Sequence, residues 1–252
     1  MMKMIPLVSV IIPVYSGSHL LSRAIDSALL QDAPLEILVI NDASLEDVDA
    51  VMSAYRGCDT VIYLKNPHNL GAAESRNRGV AQARGKYVAF LDADDCWAAG
   101  KLRKQIALLE KTGLVLCATG RELMRLDGTS TGRTISVPEI ITYRNLLKHN
   151  CISCSSVLMR TEAAREFPMH HASDSHEDYI MWLEVLHKYR TACGINEPLL
   201  KYTVSDQGKS GSKVHSAAMT WRVYRHMGFG PVKSALCFCS YVFHGVWKHY
   251  LG

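Results

Sequence analysis

Five stretches of the first ninety residues are apolar in one of two rhythms. Val8-Ser-Val-Ile-Ile-Pro-Val14 is almost continuously apolar and β-branched, as in a strand covered on both faces. Ser18 to Gln31 places Leu20, Leu21, Ala24, Ile25, Ala28 and Leu29 on one helical face. Glu36-Ile-Leu-Val-Ile40 and Thr60-Val-Ile-Tyr-Leu64 predict two more strands. Lys86 to Leu91 predicts a fourth. Between them Ser44, with Asp47 three residues on, resembles a capping box. It would open a helix carrying Leu45, Val48, Val51, Met52 and Tyr55. Gly71 to Arg84 predicts a further helix. This β-α-β-α-β-α-β order implies a mostly parallel sheet with helices on both faces.

The later chain is less regular. Lys101 to Lys111 is amphipathic, Leu114 to Thr119 and Ser155 to Met159 read as strands, Tyr179 to Tyr189 as a helix and Glu197 to Val204 as extended. The texture changes at a polar, glycine-bearing loop from Ser205 to Ser212. The helix-like stretches His215 to Met227 and Val232 to Tyr250 follow. The expected division is a domain over 1–205 and a loop with an amphipathic helical tail over 206–252.

Composition changes this picture little. The 252 residues suffice for a full core, and 48% hydrophobic with 21% charged content is ordinary for a globular chain. A net charge of +4 with dispersed basic residues gives no stripe for nucleic acid. The eight cysteines are scattered, as reduced thiols are. Cys151-Ile-Ser-Cys154 has no second pair at zinc-finger spacing. The N-terminus does not read as a signal peptide, and no segment approaches the ~20 apolar residues of a membrane span. A cytoplasmic protein is expected.

Candidate chemistry lies where the predicted strands end, since ligands of parallel sheets bind beyond their carboxyl ends. Three such ends are Pro13-Val-Tyr15, Asn41-Asp42-Ala-Ser44 and Asp92-Ala-Asp-Asp95. No GxGxxG follows the first strand. Gly208-Lys209-Ser210 lacks the first P-loop glycine, because Thr203 stands in its place. What remains is a sheet holding a nucleotide by side chains and a metal. Tyr15 can stack on a base and Asp42 can accept from an imide N–H. Asp92 and Asp94 share one side of an extended segment, where a hard divalent cation would relieve their repulsion and bridge a diphosphate. Asp95 would point the other way.

VSVIIPVY, EILVINDAS, NLGAAESRNRGVAQARGKYVAFLDADD and HEDYIMWLEV, in this order over about the first 205 residues, resemble a family 2 glycosyltransferase of the GT-A fold. The resemblance implies an inverting, metal-dependent transfer of one sugar from a nucleotide sugar, UDP-linked, to a glycan or lipid-linked acceptor of envelope polysaccharide. The cation would be Mn2+ or Mg2+. It places Pro13, Tyr15, Asp42, Arg76 and Asp92 at the nucleotide, and Asp94 with Asp92 at the metal. Asp178 is then the general base, with Glu177 on the acceptor side; Trp182 would pack the core side of its helix or reach the acceptor. The family's later histidine ligand is missing from Tyr202 to Ser212, so Ser205, Asp206 or water would stand in. Lys209 could meet the diphosphate or be a solvated loop lysine. The Gln-x-x-Arg-Trp motif of processive synthases is absent, which favours single-sugar transfer. The histidines and carboxylate of 170–176 (His170, His171, Asp174, His176) are dense enough to suggest a separate metal site, but they lack HExxH spacing, sit in a loop-like stretch and read rather as solvated or acceptor-facing. The basic, aromatic tail would lie on the inner face of the membrane or dock on its own domain. The alternatives are a sugar nucleotidyltransferase, which would want a glycine-rich basic loop after the first strand, and a non-catalytic nucleotide-sugar binding protein.

Overall fold

The computed structural model describes residues 5–170, 176–204 and 213–250. The first half alternates as expected: β1 (Val8–Val14), α1 (Ser18–Leu29), β2 (Leu35–Asn41), α2 (Val48–Ser53), β3 (Val61–Lys65), α3 (Ala72–Gln82) and β4 (Tyr87–Phe90). β1 pairs in parallel with β2 and β4, and β2 with β3. Side chains alternate across β1. Ile11 faces the core shared with α3 and α7 (Glu177–Tyr189), and Val10 and Ile12 face the core shared with α1 and α4 (Lys101–Thr112). A strand buried on both faces needs the unbroken apolar run that β1 carries.

The second half adds β5 (Cys96–Trp97), β6 (Leu116–Met124), β7 (Ser130–Ile135), β8 (Ile140–Thr142), α5 (Tyr143–Lys148), β9 (Leu158–Arg160), α6 (Thr161–Glu166), α7 (Glu177–Tyr189) and β10 (Thr191–Thr203). The strands form one ten-stranded sheet in the order β3-β2-β1-β4-β9-β6-β10-β5, with β7 on β6 and β8 on β10. β9 runs antiparallel between β4 and β6, while β6 and β10 are parallel. The mixed α/β sheet with helices around it is the expected architecture; its parallel run is β3-β2-β1-β4, which antiparallel β9 separates from the parallel pair β6 and β10.

Several boundaries differ from the sequence pattern. The helix after β2 begins at Val48, because Asp47 caps it by accepting from Ala50 N at 2.9 Å. Ser44 is drawn away to donate to the Tyr15 carbonyl, and Leu45 is exposed. Of Ser155 to Met159, only the end is strand, since Cys154–Ser156 is a 3-10 turn.

The tail comprises α8 (Lys213–His226) and α9 (Pro231–Tyr250). Val223 of α8 is buried in the core that also holds Tyr179, Trp182 and Leu186 of α7. The Tyr224 ring meets that of Tyr179 edge-on at 6.5 Å, and the Tyr241 ring of α9 lies 6.4 Å from Tyr179. The tail therefore docks on its own domain. No described helix is long and apolar enough to cross a membrane.

α3 can lie close on β1 because Gly79 has no side chain. A Cβ there would sit 2.5 Å from Ile11 Cγ2 and 3.1 Å from Ile40 Cδ1. This close approach seats the N-terminal half of α3 at the rim. Gly79→Val is expected to lower stability by about 2–3 kcal/mol, the upper part of the range for overpacked cores. Urea denaturation checks this, and an unchanged midpoint would refute the packing argument.

Candidate active site

The loops leaving β1 and β2 are knitted together. Ser44 Oγ donates to Tyr15 O at 2.6 Å. The Glu46 carboxylate accepts from Gly17 N at 3.0 Å and Ser18 N at 2.6 Å, which caps α1 from another loop. These backbone donors hold Glu46 below the usual glutamate range. Asp42 is buried. Its Oδ1 accepts from Asn66 Nδ2 at 2.6 Å and Leu70 N at 2.8 Å, and its Oδ2 from Gly71 N at 2.8 Å. Three of about four acceptor positions on this carboxylate are thus used in shaping the entry to α3.

Pro13, Tyr15, Asp42, Arg76, Asp92 and Asp94 line one cleft of about 320 Å³. The sheet thus brings together six residues scattered over eighty positions of sequence. Tyr15 is half exposed at its mouth, 48% of the residue being open to solvent.

Arg76 projects from α3 with 6% exposure. Its Nη2 donates to Asp92 Oδ1 at 2.5 Å, and its Nη1 lies 3.6 Å from Glu177 Oε1. Burial disfavours the guanidinium charge. The electrostatic influence of Cys154, Asp92 and Glu177 more than offsets that, so its pKa lies above the ordinary arginine value. Asp178 follows Glu177 in the first turn of α7, where the helix dipole favours carboxylates. Its Oδ1 accepts from Tyr179 N at 2.7 Å. Burial, then the neighbouring Glu177, raises the Asp178 pKa, while His176 and Arg76 oppose the rise.

The three aspartates after β4 part company. Asp95 is 1% exposed and turns inward, accepting from Thr203 N at 2.8 Å and so tying the loop to the end of β10. Burial and the charges of Asp92 and Asp94 push its pKa well up. Asp94 stays in the cleft, and its pKa is raised by burial and by Asp92. Arg23 donates to the Asp94 carbonyl at 2.8 Å and to Thr203 Oγ1 at 2.9 Å. Arg121, 5.4 Å from the Tyr202 ring centroid, adds a second partly buried charge that interacts with Asp95 and Asp178. Arg23 and Arg121 are absent from the sequence-based site. Each is a single base inside an otherwise ordinary helix or strand pattern, which gives no signal.

The donor set fits a hard divalent cation. Asp92 and Asp94 offer carboxylate oxygens at one opening, and their mutual repulsion is what a cation would relieve. Two carboxylates leave coordination positions for diphosphate oxygens or water.

Of the two readings of Trp182, the core one holds and the acceptor-side one is corrected: the residue is fully buried, its ring 6.1 Å from that of Phe90. His176 is the N-cap residue of α7, and His170 pairs with Glu184. Lys209, Ser205, Asp206, His171 and Asp174 lie outside the described residues.

A sheet of this order, with carboxylates gathered at its carboxyl-end rim around one buried arginine, defines a glycosyltransferase of the GT-A class. The chain belongs to glycosyl transferase family 2, whose profile matches residues 9–167. TuaG of Bacillus subtilis (strain 168), a glycosyltransferase named for teichuronic acid biosynthesis, is 35% identical over 96% of this chain and 97% of its own. WfgD of Escherichia coli, named as a UDP-Glc:alpha-D-GlcNAc-diphosphoundecaprenol beta-1,3-glucosyltransferase, is 31% identical over 96% of this chain and 95% of its own. Among solved structures, residues 1–349 of S. aureus TarS in complex with UDP-GlcNAc superpose with a TM-score of 0.74 at 17% identity, covering 93% of this chain and 71% of that one. The mannosyltransferase PcManGT from Pyrobaculum calidifontis, in complex with GDP-Man and Mn2+, gives 0.68 at 16% identity, covering 98% and 70%.

Asp42→Ala would leave two backbone N–H groups and the Asn66 amide without their acceptor. A loss of about 2–3 kcal/mol is expected, since each orphaned buried donor costs about 1–3 kcal/mol and the loop can partly relax. A thermal melt at the wild-type midpoint would show that the carboxylate does not hold the loop.

Proposed function

We propose that the protein moves one sugar from a UDP-sugar to a hydroxyl of a lipid-linked glycan acceptor in envelope polysaccharide assembly, with inversion at the anomeric carbon. The observation that carries this reading is the double contact of Arg76, which ties Asp92 of the DxD pair to Glu177 beside Asp178. In this reading a carboxylate of the nucleotide side and one of the acceptor side share a single buried guanidinium, although Glu177 and Asp178 are not among the residues that line the cleft of about 320 Å³.

In this reading Tyr15 stacks on the base, and the last acceptor position of Asp42 takes its imide N–H. Pro13 shapes the floor beneath them. Asp92 and Asp94 hold Mn2+ or Mg2+, and the bound cation supplies Lewis-acid stabilisation of charge on the leaving diphosphate. Asp178 takes the proton of the acceptor hydroxyl as its oxygen bonds to the anomeric carbon. The bond from that carbon to the diphosphate oxygen breaks on the opposite face, and its electron pair leaves with the nucleotide. Glu177 keeps Asp178 basic enough for this role, because a like charge nearby raises a carboxylate's proton affinity.

The name of WfgD supports both the UDP donor and the diphosphoundecaprenol-linked acceptor. The name of TuaG supports the envelope setting. The outer side of α9 exposes Val232, Leu236 and Val242 near Lys233, which suits peripheral contact with the inner face of the cytoplasmic membrane.

The test is release of nucleoside diphosphate from a panel of nucleotide sugars, with extracted lipid-linked acceptors, with and without Mn2+ or Mg2+. Asp178→Asn is expected to lower kcat by at least a thousandfold while nucleotide affinity changes less than threefold. Turnover of that variant near the wild-type rate removes Asp178 as the base. Metal-independent release removes the role given to Asp94. No release with any donor would favour a binding protein.

The pH profile gives a further check. The base must be ionised, so kcat/KM rises with pH through a limb set by Asp178, above the ordinary aspartate value because burial and Glu177 raise it. In Glu177→Gln the like charge is gone and Arg76 is freer to favour the Asp178 carboxylate. Both changes move the limb to lower pH. A limb that stays in place would separate the profile from this pair.

A further inference from the structure

A second cluster of ligating side chains lies away from the aspartates. His170 in the segment after α6, Glu184 of α7 and His226 of α8 bring one ligand atom each to within 4.8 Å of the others. His170 Nε2 is 3.1 Å from Glu184 Oε1 and 3.2 Å from Oε2, and His226 Nε2 is 3.6 Å from the same Oε1. The two rings lie 4.5 Å apart between centroids at an angle of 54°, so they converge rather than stack. Among the described residues this is the one group of three such side chains with ligand atoms so close.

We propose that His170, Glu184 and His226 form a site for a borderline divalent transition-metal ion, zinc(II) above all, which fastens α8 to α7 and to the segment carrying Met169. Zinc bonds to imidazole nitrogen and carboxylate oxygen are ~2.0–2.2 Å long, so neighbouring ligands of a tetrahedral ion stand roughly 3.3–3.5 Å apart. The observed separations of 3.1 and 3.6 Å bracket that edge. Without an ion, both histidines would need a proton on Nε2 to satisfy the one carboxylate. A cation replaces both protons. Two imidazoles and a carboxylate make a nitrogen-rich set that favours zinc, whereas the all-oxygen rim favours Mg2+ or Mn2+. The chain thus separates two metals by ligand chemistry.

The surroundings permit entry and give the ion a purpose. The His170 and His226 side chains are 41% and 37% exposed, and a cleft of about 460 Å³ beside His170 and Glu184 leaves room for water as the fourth ligand. Met169, next to His170, exchanges two 2.8 Å hydrogen bonds with Asn77, and its Sδ lies 3.9 Å from Arg76 Nη1. An ion at this site would join the tail helices to the α3 side chains that line the acidic cleft. The inference stands apart from the transfer reaction, since its readouts are metal content and stability.

The experiment uses the full chain, stripped with a chelator, reduced without thiols and dialysed against micromolar zinc chloride. Because eight cysteines also attract zinc, variants are compared with wild type. Wild type is expected to hold one more zinc per chain than His226→Ala or Glu184→Gln, by elemental analysis. Zinc should raise its Tm, with at least tenfold weaker zinc affinity in either variant. Both substitutions fall on partly exposed side chains, and unfolding curves without metal establish that the variants fold. Asp94→Asn should keep the zinc effect. With cobalt(II), wild type should show tetrahedral visible bands that His226→Ala lacks. The proposal is overturned by equal zinc content and equal Tm shift in all proteins, by loss of the effect in Asp94→Asn alone, or by sulfur-to-cobalt charge transfer unchanged in His226→Ala.

Discussion

The site depends on one buried cation. A guanidinium removed from water must find anions, and Arg76 finds two from distant parts of the chain, Asp92 after β4 and Glu177 opening α7. Removing one partner of such a buried pair typically costs 3–5 kcal/mol, because a charge is left uncompensated. The 2.5 Å contact holds the guanidinium against the loop after β4, and its 3.6 Å approach to Glu177 draws the first turn of α7 toward the same charge. Arg76 reaches this position only because α3 lies so close on β1 at Gly79.

The carboxylates around it repel each other, and the fold distributes that repulsion by direction. Asp95 turns inward and is held by the Thr203 amide, Asp92 turns to Arg76, and Asp94 remains in the cleft. Burial first, and then the neighbouring carboxylates, raise the pKa values of Asp94, Asp95 and Asp178. Positive charge entering the cleft would lower them.

The parallel half of the sheet was legible because burial on both faces demands unbroken apolar runs, and β1, β2 and β4 carry them. Asp92 and Asp94 were legible because carboxylates directly after such a run are costly without a purpose. The elements β5, β7, β8, α5 and α6 were not legible: strands of two or three residues and helices of six carry too little period, and the six residues of β7 have no buried face. The two readings of Trp182, core or acceptor side, stayed open in the sequence for a related reason. Tyr179, Ile180, Met181, Trp182, Leu183, Val185 and Leu186 are all buried, so α7 has little solvent face from which to infer an acceptor side. Helix α7 is enclosed because the tail covers it, and a local pattern cannot announce a cover supplied thirty or more residues later.

That cover also explains why the tail cannot be a mere appendage. Helix α5 ends with carbonyls that need donors, as every helix does. Tyr179 Oη donates to Leu146 O at 2.7 Å and Tyr224 Oη to Leu147 O at 2.8 Å, one hydroxyl from α7 and one from α8. Stripping α8 away would open the Tyr179 ring to water and leave a carbonyl at the end of α5 without its donor. The tail therefore stabilises the helix that carries Glu177 and Asp178. Helix α9 packs Tyr241 inward against Tyr179 and His149 while Val232, Leu236 and Val242 stay outside. Docking on the domain and lying on a lipid surface are thus not competing fates for this tail. They use opposite sides of the same helix, so a surface that draws the outer side would act on the helix pair supporting α7.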